Sequence, residues 1–459
     1  MACHVGGSVR VTEQRLSSAP GDGPSWGGIL SLMVYIAALQ YSYAAFVVPN
    51  FEYWGFGDTH VPAVRTATSW ILALLPALFL RRRIERPSEF LVLLQYLIIY
   101  VPTLFLLEKS VNPELGAGES TRLAFALAAG MLVLVAGTRL RPLKLRRIEL
   151  PQQLFWYGFT ALGLGLIGYL AGTLGGGFRL AGLEEMYEVR EATASTIEEA
   201  GLGLAGYALM WLGGFVLPLA FALAVTRAHP FLLLPVAAGY VFAFGLGGSK
   251  QTLFAIVYLG GIYIWTRIAP HRRTVWLALG LSVMLLVPAA LQVAGPIGEL
   301  VGRWYTLIVN VRIFSIPQLS IAQYFDFFSG NPLTYGSHIK GISAFVAYPY
   351  ASDIPYTVGE YYYGRPIGAN VGMWAQDGIA AFGLPGVLIV SVVAALVFWL
   401  LDSVAVGLDR NLVIVSLGVI ATTLTNVSLF TSLVSGGLAI AIATLWLLPR
   451  QGTAVPRQP

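Results

Sequence analysis

WGGILSLMVYIAALQYSYAAFVV, residues 26–48, contains no Asp, Glu, Lys or Arg. At about 1.5 Å of rise per residue, a run of this length crosses the roughly 30 Å of bilayer hydrocarbon as a helix. A polar stretch with Arg10 and Arg15 precedes it, as in a signal peptide. The run is longer than the core of about seven to fifteen residues that such peptides carry, however, and no convincing small-x-small cleavage site follows. We therefore read it as a membrane span.

Similar runs recur through the chain, near residues 64–80, 89–107, 121–138, 152–174 and 201–226, then 230–246, 249–266, 274–294, 378–401, 411–429 and 432–448. The composition agrees, since 56% of the 459 residues are hydrophobic and 11% charged, against about a quarter charged in soluble domains. The expectation is an all-α polytopic membrane protein of about twelve transmembrane helices. It forms a single membrane domain over 26–448, with polar tails at 1–25 and 449–459.

Charge distribution orients this array, because Lys and Arg collect on the cytoplasmic side of short loops. Alternate connections carry Arg81, Arg82, Arg83 and Arg86, then Arg139, Arg141, Lys144, Arg146 and Arg147, then Arg267, Arg272 and Arg273. The intervening ones hold Glu52 and Asp58, then Glu108, Glu114 and Glu119, then the six glutamates from Glu184 to Glu199. The basic set and both termini are expected in the cytoplasm, the acidic set outside. The net charge of +5 is thus explained by orientation and lipid headgroups, and requires no nucleic acid. Cys3 is the only cysteine, and the five histidines (His4, His60, His229, His271, His338) show no metal-ligand spacing. No metal or other cofactor is expected.

Two outer segments exceed a short loop, 175–200 and 295–376, and chemistry is expected there. As a helix, residues 183–197 place Leu183, Met186, Tyr187, Ala194 and Ile197 on one face, with Arg190 among them and the glutamates opposite. An arginine on an apolar surface at membrane depth calls for an anion, although it can also snorkel to headgroups or pair with a glutamate. Lys250 follows Gly247-Gly248-Ser249 between two spans, where glycines allow close backbone approach. An interfacial lysine needs no function, but the helix start there could also receive an anion. The large segment carries Arg303, Arg312, Lys340 and Arg365, with Asp326, His338, Asp353, Glu360 and Asp377. It is also rich in tyrosine, including Tyr324, Tyr348, Tyr350, Tyr361 and Tyr362. Most of these suit an interfacial belt, and a minority suit stacking on sugar rings.

Several stretches, in order, resemble the Wzy-type bacterial oligosaccharide repeat-unit polymerases of O-antigen and exopolysaccharide synthesis. They include Tyr187-Glu-Val-Arg-Glu191, Gly201-Leu-Gly-Leu-Ala-Gly-Tyr207 and Phe244-Gly-Leu-Gly-Gly-Ser-Lys250. Further on come Arg312-Ile-Phe-Ser-Ile-Pro317, Tyr324-Phe-Asp-Phe-Phe328, Gly359-Glu-Tyr-Tyr362 and the run from Ala369-Asn370 through Trp374-Ala-Gln-Asp377 to Gly386. The likeness spans roughly residues 155–400, and Gly248 stands where a polar residue is expected beside Ser249-Lys250.

The resemblance implies a GT-C-like, metal-independent, inverting glycosyltransferase related to O-antigen ligases. It would act in a bacterial cytoplasmic membrane with its site on the outer face. Donor and acceptor would both be polyprenyl-diphosphate-linked oligosaccharides, and a chain-length regulator is a conceivable partner. Arg190, Lys250 and Arg312 are the expected grip on the departing diphosphate, with His338 as a base. Glu191, Arg303, Tyr324, Asp326, Glu360, Tyr362, Asn370 and Asp377 are the expected substrate contacts. The competing readings are a ligase of the same architecture, and a lipid-linked oligosaccharide flippase or secondary transporter. Transport is disfavoured by charge-depleted spans and by the lack of an internal repeat.

Overall fold

A computed structural model describes residues 26–450 except 82, 147, 149, 181, 183, 184, 269–272 and 340. The polar tail 1–25, residues 451–459, and Arg82, Arg147, Leu183, Glu184, His271, Arg272 and Lys340 therefore lie outside the described residues. Among the described residues 78% are helical, and ten helices are long and apolar enough to cross a membrane. The chain is an all-α polytopic membrane protein.

All but one of the ten coincide with apolar runs read from the sequence. The expected span at 249–266 is the helix Lys250–Ile268, which is less apolar than the ten, and Ala63–Ala77 is apolar but shorter. The run at 411–429 is divided between Arg410–Ser416 and Gly418–Asn426. The tenth, Gly295–Gly330, falls inside the segment expected to be a large outer loop. That expectation is corrected: polar residues at Arg303, Arg312 and Asp326 masked an unbroken helix whose other faces are apolar and mostly buried.

Pro87–Lys109 is the centre of the molecule, buried along its whole apolar window. Around it, Ala117–Gly137 and Leu384–Ala405 pack so tightly that a β-carbon on Gly137 would stand 2.7 Å from that of Ala395. Small residues permit this backbone approach, which dispersion rewards in lipid. At the other extreme, Gln152–Gly177 is mostly exposed, a peripheral helix with much of its apolar surface turned outward.

Hydrogen bonds tie alternate connections together at opposite ends of the bundle. At the basic end, Arg86 donates to the carbonyls of Thr138 and Leu140, Ser403 accepts from the Leu143 amide, and buried Arg273 donates to the Ile84 carbonyl and to Asn411. At the acidic end, Lys109 pairs with Asp58, Arg65 pairs with Glu108, and Gln323 reaches the Asn112 carbonyl. The long helix Gly295–Gly330 belongs to the acidic end. Its Arg312 lies over the ring of Trp54, which closes the first span.

Among the described residues five stretches widen into π-helix, and the one at Thr306–Ser315 packs on those at Tyr43–Val47 and Gln95–Tyr100. Such bulges rotate the side chains that follow and recur at functional sites.

Candidate functional site

Leu233–Gly247 ends at Gly248, whose φ of +55° is a left-handed conformation that glycine adopts without cost. Lys250 then opens the helix Lys250–Ile268. The connection from the peripheral helix folds over this turn. Arg179 donates its amide to the Gly245 carbonyl at 2.9 Å, and Thr193 donates its hydroxyl to the Leu246 carbonyl at 2.6 Å. A β-carbon on Gly248 would lie 2.5 Å from the Met186 carbonyl oxygen and 3.3 Å from the Arg190 amide nitrogen. The turn of Lys250 and the helix of Arg190, Met186–Glu199, are thus in direct backbone contact. Gly248, where a polar residue was expected, is what permits it.

The helix is rotated from the expected setting. Met186 and Val189 are buried and Arg190 is exposed, so the guanidinium stands at the edge of the apolar face rather than within it. Glu191 is also exposed. On the other side of the turn, Gln251 donates to Thr422 at 3.0 Å and Thr423 at 3.2 Å, fixing the start of its helix against Gly418–Asn426.

Beyond that helix lies a buried polar knot. Ser428 donates its hydroxyl to Asp377 at 2.5 Å, and the Leu429 amide donates to the same carboxylate at 2.6 Å. Nε2 of His338 is 3.6 Å from Asp377, and its Nδ1 is 2.9 Å from the Thr334 hydroxyl. The histidine side chain is 8% exposed. Nδ1 thus has a hydroxyl partner, while Nε2 is buried and faces the carboxylate from beyond hydrogen-bond distance. Tyr324, fully buried, donates to the Ala369 carbonyl at 3.1 Å.

Arg312 stands on a separate wall, exposed, with its guanidinium 5.3 Å from the centre of the Trp54 ring. Tyr363 reaches the Trp54 carbonyl at 3.5 Å and accepts from Gln323 at 2.9 Å, while Tyr362 donates to Asp326. Burial, and then this bond to Asp326, push the Tyr362 phenol well above its ordinary value. Burial and nearby Asp353 push Tyr348 up to about 12. Arg303 and Glu360 are exposed, and Asn370 is half-buried.

The structure therefore seats the turn of Lys250 on the helix of Arg190, gathers His338 with Asp377, joins Asp326 to Tyr362, and sets Arg312 over Trp54. Sequence reading missed Trp54, Gln251, Gln323, Thr422, Thr423 and Ser428. Gln251, beside Lys250, was the one with a visible signal. A small space beside Arg81 and Glu89 holds about 10 Å³, at the limit for one water. Among the described residues no three His, Cys, Asp or Glu side chains group closely enough to hold a metal ion. Comparisons with family models, with curated proteins and with solved structures give no match to this chain.

Proposed function

We propose that the chain is a glycosyltransferase that polymerises polyprenyl-diphosphate-linked oligosaccharide repeat units on the outer face of a cytoplasmic membrane. In this reading the acidic end faces outward, following the charge bias of the loops. A hydroxyl of the acceptor repeat unit attacks the anomeric carbon of the growing chain. The carbon–oxygen bond to the diphosphate breaks, polyprenyl diphosphate leaves with the electron pair, and the hydroxyl proton passes to the departing phosphate or to water.

The observation that carries the reading is the seating of the Lys250 turn on the helix of Arg190, permitted by Gly248. Two cations held by backbone geometry at one end of a membrane bundle suit the negative charge that grows on the bridging phosphate oxygen, where preorganised charge has its largest effect. Arg312, on its own wall over Trp54, suits the diphosphate of the second substrate, since donor and acceptor each carry one. Diphosphate is a good leaving group, so the reaction has little need of a strong base, in keeping with the enclosed imidazole of His338.

Purified protein given one synthetic lipid-diphosphate repeat unit should produce a ladder of lengths, and EDTA should leave that ladder intact. A ligase would produce no ladder from this substrate alone, and a flippase would move it across proteoliposomes unchanged. Either result overturns the proposal.

A further inference from the structure

The diphosphates account for the cations but not for the sugars, and a second surface at the same end of the bundle has the chemistry to hold them. Tyr362 and Tyr363 end the helix Ile354–Tyr363 with their hydroxyls turned inward, to Asp326 and to Gln323 and the Trp54 carbonyl. Tyr350 likewise donates to the Pro332 carbonyl at 2.5 Å. Tyrosines of an interfacial belt present their hydroxyls to water and headgroups. These do the reverse, and their ring planes are fixed by the scaffold.

Two phenol rings remain outermost on this base. Tyr53 is 71% exposed and lies 5.9 Å from Trp54 and 6.4 Å from buried Phe51. Tyr361 is 62% exposed and lies 5.2 Å from buried Phe327 and 5.0 Å from Tyr362. The Tyr363 hydroxyl at the Trp54 carbonyl ties the two groups to each other. Polar and charged groups stand among the rings, with Arg312 over Trp54 and Asp326 at Tyr362.

We infer that this surface binds the saccharide part of the substrate, with Tyr53 and Tyr361 as stacking platforms for pyranose rings. A pyranose presents an apolar C–H face to an aromatic ring and hydroxyls at its edge to a carboxylate or guanidinium. A lipid tail would cover the rings but draw the Asp326 carboxylate and the Arg312 guanidinium out of water, whereas sugar hydroxyls replace that water at both groups. The choice of an oligosaccharide rests on the proposed transfer, but binding is measurable without it.

The test is saturation-transfer NMR on the full-length protein in detergent, with maltohexaose, cellohexaose and chitohexaose as probes. The expected result is transfer to ring protons of at least one hexaose. Tyr361→Ala and Tyr53→Ala should each weaken binding by about fivefold, the range of one aromatic contact. Tyr361→Phe should bind as the wild type, because stacking needs the ring and not the hydroxyl; it also controls for folding. Absence of transfer with all three probes, or transfer unchanged in both alanine variants, overturns the inference. The ladder assay separates the two ideas. A wild-type ladder from both alanine variants refutes the platform and leaves the polymerase reading standing, whereas hexaose binding that depends on Tyr361 in a protein that makes no ladder does the opposite.

Discussion

Gly248 presses on Met186: a β-carbon at position 248 would stand 2.5 Å from the Met186 carbonyl oxygen. With its φ of +55°, this glycine meets both reasons for which no other residue serves, handedness and space. Gly248→Ala should push Met186–Glu199 off the turn and separate Arg190 from Lys250. The expected outcome is a loss of transfer of at least about tenfold, because small misplacement of a preorganised group is costly, with membrane insertion retained. Radiolabel incorporation from the lipid-linked repeat, normalised to folded protein, is the measurement. Full activity in this variant would show that the contact is not used.

The fold was legible wherever a span is apolar all round, because hydrocarbon forces every backbone group into a helix and selects uncharged side chains. It was illegible at Gly295–Gly330, where charged and polar residues share a helix with a buried apolar face. The Arg190 and Lys250 elements were legible as isolated oddities, a cation near an apolar face and a glycine turn, but their contact was not. It joins segments about sixty residues apart through a backbone approach that leaves no periodic trace. The same holds for His338 and Asp377, whose partners Thr334 and Ser428 are small hydroxyl residues common in any membrane helix.

Arg190, Lys250 and Arg312 are distinguishable by additivity. Residues acting on one group are coupled, whereas distant ones add. If Arg190 and Lys250 share the leaving diphosphate, Arg190→Ala and Lys250→Ala should each cost about two orders of magnitude in kcat, and the double variant should cost little more than either single. Arg312→Ala should add to both and should appear mainly in the KM for the acceptor. Strong coupling of Arg312 to Lys250 would place all three on one phosphate group.

His338 and Asp377 should behave as structure. Asp377 receives the Ser428 hydroxyl and the Leu429 amide where the chain turns between two short helices. Asp377→Ala strands both donors in a buried site and should cost about 3 kcal/mol of stability, read by thermal unfolding in detergent. His338→Gln, which can still reach Thr334, should cost about 1 kcal/mol and keep transfer within about tenfold. A base would instead lose about 10²- to 10⁴-fold. A loss of that size at wild-type stability would restore the catalytic role.

Arg267 and Arg273 looked equivalent in the sequence, two cations of one basic loop, yet the structure gives them different work. Arg267 is exposed, 5.8 Å from the Tyr263 ring centre. Arg273 is fully buried and donates to the carbonyls of Ile84 and Thr266 and to the Asn411 side chain, at 2.9 to 3.0 Å. It thus holds three connections together at the basic end. Only a planar guanidinium reaches acceptors spread in this way, since an ammonium is a point donor on a flexible stem. Arg273→Lys keeps the charge and the orientation signal but leaves buried acceptors unmet, and should cost about 2–4 kcal/mol. Arg267→Lys should cost less than about 1 kcal/mol. Thermal unfolding of the two variants side by side is the check, and equal stability would mean that Arg273 does no more than orient the chain.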